Sequence, residues 1–187
     1  MKPLTIVQVG VCEGNDEITD IVKKSEIELL VLVEPLPKEE LGECYKDTPN
    51  TVLYPVAITP KSTEYKHNFF VHPDGPGCAS LSKQHVENHF PHSPEKIKVV
   101  EVSCMTMHQI FERHQVTDVD VLFIDAEGYD GDIIASINLK KYNIKRIVFE
   151  YIHLKSCGIL RQVREFLIHH GYTVNFYSDY DIEAIKQ

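Results

Sequence analysis

Four acidic residues stand where this chain could do chemistry. Glu34 follows the apolar run LLVLV at 29–33, Asp125 and Glu127 follow VDVLFI at 119–124, and Glu150 falls near the end of RIVFEYI at 146–152. A carboxylate at the carboxyl end of a buried strand is placed to accept ribose hydroxyls or to attract a cation. Ahead of them, IVQVGVCEGN at 6–15 runs from β-branched residues into Gly10 and Gly14. Glycines at a strand-to-helix junction let the backbone approach a ligand, and the helix start offers free N–H groups. Glu34 lies 20 residues beyond Gly14, a spacing that suits a carboxylate bonded to the ribose of an adenosine-containing cofactor.

Histidines form a second set. His67, His72, His85, His89 and His92 crowd the segment 61–94, and His153 follows Glu150. His85, His89 and His92 recur at i, i+4, i+7, which on a helix would share a metal-binding face. In a sequence this rich in histidine a solvated loop is the favoured reading, and no metal ligand is assigned. Asp125, Glu127 and Glu150 could together hold magnesium, although cofactor and substrate contacts explain them better.

Periodicity supplies the elements that must position these groups. Ile18, Ile21 and Val22 give one face of a helix opened by Asn15 as N-cap. The run 29–33 reads as a parallel strand buried on both faces, and Pro37 fits the first turn of a helix reaching about Tyr45. VLYPVAI at 52–58 reads as a third strand that Pro55 pushes towards an edge or a bulge. Between Lys61 and Pro94 no helical period emerges among Pro73, Asp74, Gly75, Pro76 and Gly77, so a loop or hairpin insertion is expected. A strand near 98–102 follows, then a capping box of Thr106 with Gln109 that opens a helix through Ile110 and Phe111. Strand 119–124, a helix with Ile133, Ile134 and Ile137, and strand 146–152 continue the alternation. The last helix carries Ile159, Val163, Phe166 and Leu167 on one face and stops at Gly171, and 172–177 with 182–185 form an antiparallel edge pair. The result is an α/β fold in a single domain, 1–187: a mostly parallel sheet with an antiparallel edge strand and helices on both faces.

Composition narrows the partners. The chain has 187 residues, 43% hydrophobic and 25% charged, enough for one sizeable core. A formal charge of −9, from 19 Lys+Arg against 28 Asp+Glu, disfavours nucleic acid. Cys12, Cys44, Cys78, Cys104 and Cys157 are odd in number and never in CxxC spacing, which fits reduced thiols and a cytoplasmic setting. The chain opens into its first strand without a signal peptide, and no apolar run is long enough for a membrane span.

Taken in order, VQVGVCEGN, LVEP, VAIT, CASL, VDVLFIDAEGYDGDII and IVFEY resemble the FkbM-type methyltransferases, a branch of the S-adenosylmethionine-dependent class I enzymes. That family's pattern runs DxGANxG, FEP, A(V/I)S, SSL and KIDxEGxE, closed by a strand ending in Glu. The likeness covers 6 to about 151 and implies a Rossmann-like class I methyltransferase fold with S-adenosylmethionine as cofactor. Carried over residue by residue, it makes Gly10 and Gly14, with Cys12 and Glu13 between them, the turn under the methionine moiety. Glu34, followed by Pro35, becomes the ribose ligand, and Ala57 and Ile58 lie near the adenine. Asp125 faces the amino acid part or the transferred methyl, with Glu127 beside it, and Ser80 matches the serine of SSL. Gln8 stands where the family has Asp, Cys12 where it has Asn, Phe123 where it has Lys and His108 where it has Asp. Losing the Asp at position 8 removes a carboxylate from the cofactor's amino end, a role open to Glu13.

Methyl transfer is an in-line displacement, so positioning carries much of the rate, and a hydroxyl acceptor also needs its proton taken. Candidate bases are His153, then Asp125 and Glu150, and more remotely His72. The expected function is O-methylation of a small-molecule or sugar hydroxyl, with 61–94 helping to form the acceptor site; a homo-oligomer is compatible with it. Two other readings compete. A nicotinamide dehydrogenase shares the fold logic, but the GxGxxG positions counted from Gly10 are Cys12 and Asn15, and the YxxxK pair Tyr151/Lys155 sits at a strand end, where residues four apart do not share a face. A degenerate relative serving as an interaction module is the non-enzymatic reading.

Overall fold

In the computed structural model, which describes residues 2–12, 14, 17–61 and 65–187 and leaves aside the side chains of Glu17 and 155–157, β1 (Leu4–Val9) is an interior strand of the main sheet. Its side chains alternate between two cores: Ile6 packs with Ile18, Leu30 and Leu32, while Val7 and Val9 pack with Val31 and Val33. A strand buried on both faces has no need of a polar side.

Outward from β1 on one side lie β2 (Ile27–Val33) and β3 (Thr51–Tyr54), both parallel to it. On the other side lie β8 (Asp118–Ile124) and β9 (Asn143–Glu150), also parallel. Next come β11 (Asp181–Lys186), antiparallel to β9, and finally β10 (Tyr172–Phe176), so the antiparallel strand sits one in from the edge. α1 (Glu17–Lys24) and α2 (Glu39–Tyr45) cover one face through Ile18, Val22, Leu41 and Tyr45. α4 (Met107–Arg113), α5 (Asp130–Ser136) and α6 (Ile159–His169) cover the other through Ile110, Phe111, Ile133, Ile134, Val163 and Leu167. The mixed α/β, mostly parallel architecture with helices on both faces is therefore as expected, and so is the capping box, with both Thr106 and Gln109 bonds formed.

Some expectations are corrected. The strand expected at 52–58 is two: β3 belongs to the main sheet, while β4 (Ala57–Ile58), beyond Pro55, pairs with β7 (Lys98–Met105) in a second sheet. Proline cannot donate to a ladder, and the chain changes sheet there. Pro37 precedes the N-cap of α2, Lys38, instead of sitting in its first turn. The segment 61–94 forms a hairpin of β5 (Lys66–His72) and β6 (Gly75–Ser80), with Pro76 and Gly77 inside a strand, and it contains a helix that the sequence hid, α3 (Lys83–His89). α3 is only two turns long and its buried positions are His85 and Val86, so no apolar period shows. The second sheet runs β4-β7-β5-β6, with Ala57, Phe69, Val102 and Cys104 forming its own small core. Asn15 lies outside the described residues. Among the described residues no helix is long and apolar enough to cross a membrane.

Candidate functional site

The chain leaves β1 through β2 and β3 and returns to β8 on β1's other flank. Strand order therefore reverses beside β1, and a crevice opens at the strands' carboxyl ends. The ladder continues one residue past each strand. Gly10 N–H donates to the Val33 carbonyl (2.9 Å), Glu34 N–H to Tyr54 (3.1 Å) and Asp125 N–H to Val9 (2.9 Å). These bonds set Gly10, Glu34 and Asp125 side by side at one cleft, whose lining includes all three. Gly10 has φ +76°, and a Cβ there would stand 1.7 Å from the Asp125 carbonyl oxygen. Only glycine fits so close an approach.

Cys12, Pro35, Ala57, Ile58 and Glu127 also line the cleft. Glu34 is committed to the turn as well: Oε2 accepts from the amides of Val11 (3.2 Å) and Cys12 (3.0 Å), and Oε1 accepts from Leu36 (3.1 Å). A carboxylate offers about four acceptor sites, so one remains for a ligand. Gly14 does not line the cleft; its missing Cβ makes room for Cys44, 3.2 Å away. Gln8 is wholly buried within β1. Glu13 lies outside the described residues.

The opposite wall comes from the insertion. Phe69 and Val71 of β5, Gly77 and Ala79 of β6, and Leu81 present alternate positions to the cleft, as a strand's period of two gives, and Pro76 joins them near the start of β6. These residues, with Lys38 and Tyr129, were not anticipated; the alternation in HNFFV was the available signal, obscured by its histidine and asparagine.

Behind the floor, Glu127 (φ +48°) and Gly128 (φ +93°) turn the chain sharply into α5. Buried Asp130 holds that turn by accepting from the amides of Ala126 (3.2 Å) and Gly128 (3.3 Å). Burial, and then the charge of Asp125, push its carboxyl up to about 8. Ser80 does not line the cleft. It is buried, and its hydroxyl donates to the Glu127 carbonyl (2.9 Å) and accepts from the Ser82 amide (3.0 Å), tying the insertion to the turn.

Of the three candidate catalytic groups, only Asp125 lines the cleft. Glu150 and His153 stand behind Glu127: His153 Nε2 is 3.2 Å from Glu150 Oε2 and 3.7 Å from Glu127 Oε2. Burial first, then repulsion from Asp125 and Glu127, pushes Glu150 up to about 9. Burial and His85 hold His153 below the usual histidine range, with Glu127 opposing. A carboxylic acid kept neutral cannot serve as a base near pH 7. His72 is also unfit to be that base, because both ring nitrogens are occupied. Nδ1 accepts from the Asp74 amide (3.2 Å), Nε2 donates to the Ser93 carbonyl (3.1 Å), and the ring stacks on Phe90 at 3.9 Å.

The solvated-loop reading of the histidines is likewise corrected. His85 and His89 share a face of α3, His85 is buried, and one donor atom from each of His85, His89, His153 and Glu127 lies within 4.8 Å of the others. His92 is exposed and apart from this group.

The family model described as the methyltransferase FkbM domain matches residues 8–174. In structure the chain is similar to a precorrin-6y C5,15-methyltransferase from Geobacter metallireducens GS-15, at 15% identity and TM-score 0.50, over 100% of this chain and 82% of that one. It is also similar to a chain of a fibrillarin/Nop5p complex, at 11% identity and TM-score 0.51, over 98% of this chain and 73% of that one. Both likenesses speak to the fold. No curated protein matches the chain.

Proposed function

This chain belongs to the FkbM methyltransferase family, and on that premise we propose that its cleft binds S-adenosylmethionine and methylates a hydroxyl of a small molecule or sugar. The observation that carries the reading is the meeting of Gly10, Glu34 and Asp125 around one cleft at the sheet's switch point. The residues present suit such a cofactor. Apolar Pro35, Ala57 and Ile58 offer a surface for a purine, Glu34 keeps one acceptor site for ribose, and Asp125 and Glu127 set negative charge where an ammonium and a sulfonium would lie. Bound there, the cofactor supplies a methyl group on a positively charged sulfur.

The chain's own part is placement and proton removal. The glycine turn and the β8 turn fix one side of the cleft, and the insertion's apolar wall excludes water from the other. Asp125, in the cleft itself, is placed to take the acceptor's proton. Calorimetry with S-adenosylmethionine and S-adenosylhomocysteine tests the reading. The wild type should bind both, and Glu34→Ala should weaken binding by about 1–3 kcal/mol. Absence of binding at millimolar cofactor would favour an interaction module, and unchanged affinity in Glu34→Ala would reject the ribose role.

A further inference from the structure

We propose that His85, His89, His153 and Glu127 form a site for one divalent transition-metal ion of the zinc class, at the rim of the cleft. The four donors come from three separate parts of the chain: α3, the turn after β8, and the 3-10 segment Ile152–Cys157 after β9. Tetrahedral zinc with bonds of about 2.0–2.1 Å sets its donors about 3.4 Å apart. Here Glu127 Oε2 stands 2.8 Å from His85 Nε2 and 3.7 Å from His153 Nε2, with all four donors inside 4.8 Å. The three imidazole rings approach pairwise to 4.5, 4.5 and 5.1 Å between centroids.

Without an ion, Glu127 accepts from His85 (2.8 Å) and His153 lies between Glu127 (3.7 Å) and Glu150 (3.2 Å), yet these contacts do not use every nitrogen of the group. A carboxylate has no proton to give, and each neutral imidazole keeps an acceptor nitrogen. His89 shows the consequence. Its Nδ1 must donate to the His85 carbonyl (3.0 Å), because a carbonyl only accepts, and this leaves the lone pair on Nε2. Such a bond to the far nitrogen is the usual support for a metal-ligating histidine. His85 and His89, four residues apart on one helical face, give two ligands from a single turn.

The donor set also selects the ion. Three imidazoles and one carboxylate suit zinc, nickel, cobalt or ferrous iron, whereas magnesium and calcium prefer oxygen shells. Three of the side chains are sheltered, with exposures of 8% for His85, 19% for His153 and 20% for Glu127, while His89 closes the group from the exposed side. Glu127 also lines the cleft, so the ion would border the space for the acceptor, where it could acidify a hydroxyl. That catalytic consequence rests on the methyl-transfer reading; the binding of the ion does not.

The test uses the full chain, freed of any affinity tag and stripped with a chelator, then titrated with Zn²⁺ by calorimetry and with Co²⁺ by visible absorption. One ion per chain should bind saturably, with a Co²⁺ band of low coordination number. His89→Ala should lower affinity about tenfold or more, and His92→Ala should match the wild type. Equal melting temperatures of the metal-free wild type and His89→Ala would confirm that the variant is folded. Lack of saturable binding by the wild type, or equal affinity in His89→Ala, overturns the site. S-adenosylhomocysteine binding, measured on the same samples, reports separately: zinc binding without it would leave the metal site standing and sink the functional reading.

Discussion

The two sides of the cleft are held by different physics. Its floor, at the ends of β1, β2 and β8, is fixed by backbone: ladder bonds from Gly10, Glu34 and Asp125, and an approach that leaves no room for a Cβ. Its wall, from β5 and β6, is a small sheet backed by the two-turn α3 and tied to the floor through side chains, with Ser80 and His85 both reaching Glu127. A backbone-built floor presents the same shape with many side chains. A wall hung on individual side chains changes its chemistry when any of them changes, which suits the side that must recognise an acceptor.

A methyl group added on each side should have very different consequences. Gly10→Ala forces a left-handed φ on alanine and drives its Cβ into the Asp125 carbonyl, 1.7 Å away. Urea denaturation should show a loss of about 3 kcal/mol or more. Gly77→Ala, on the wall, meets nothing within 4 Å, and its stability should stay within about 0.5 kcal/mol of the wild type. Comparable losses at the two positions would erase the distinction.

A smaller effect should come from Asp130, behind the floor. Burial and Asp125 push its carboxyl up to about 8, whereas in the unfolded chain it titrates near 3.8. Between these values the folded state keeps a proton that the unfolded state has lost. Stability from this group is therefore full below about pH 4, falls as pH rises towards 8 and is level above, by a few kcal/mol at most. Urea midpoints at pH 5 and pH 8 should lie closer together in Asp130→Asn, which cannot titrate, than in the wild type, and the difference that remains belongs to Glu150. An unchanged pH dependence would place the titration elsewhere.

The same contrast explains what could be read in the sequence. The floor was legible because the three strands beneath it are largely apolar runs that end in glycine or an acid: VQVG, LVEP and FIDAEG announce both strand and tip. Eight residues assigned to the cofactor there or just beyond, from Gly10 through Glu127, do line the cleft. The wall was not legible. Phe69 and Val71 are separated by a residue that is itself apolar, Phe70, which blurs the alternation, and α3 buries a histidine where a helix ordinarily buries an aliphatic. His85 reaches Glu127 across 42 residues of sequence and His153 arrives from beyond β9. Helical spacing, which suggested His85, His89 and His92, cannot report a partner brought in by tertiary folding, so it included His92 and omitted Glu127 and His153.

The smallest predicted effect tests the tie itself. Ser80 stands where the family resemblance implies a cofactor contact, yet its buried hydroxyl joins the Glu127 carbonyl to the Ser82 amide, and Ser82 in turn caps α3. Ser80→Ala leaves that carbonyl and that amide without their partner, a cost of about 1–2 kcal/mol in denaturation experiments. If the floor is fixed by its own backbone, affinity for S-adenosylhomocysteine should fall by less than in Glu34→Ala, because the wall loosens while Gly10, Glu34 and Asp125 stay in place. A loss of affinity as large as that of Glu34→Ala would mean that the floor depends on the wall for its shape, and the division drawn between them would not hold.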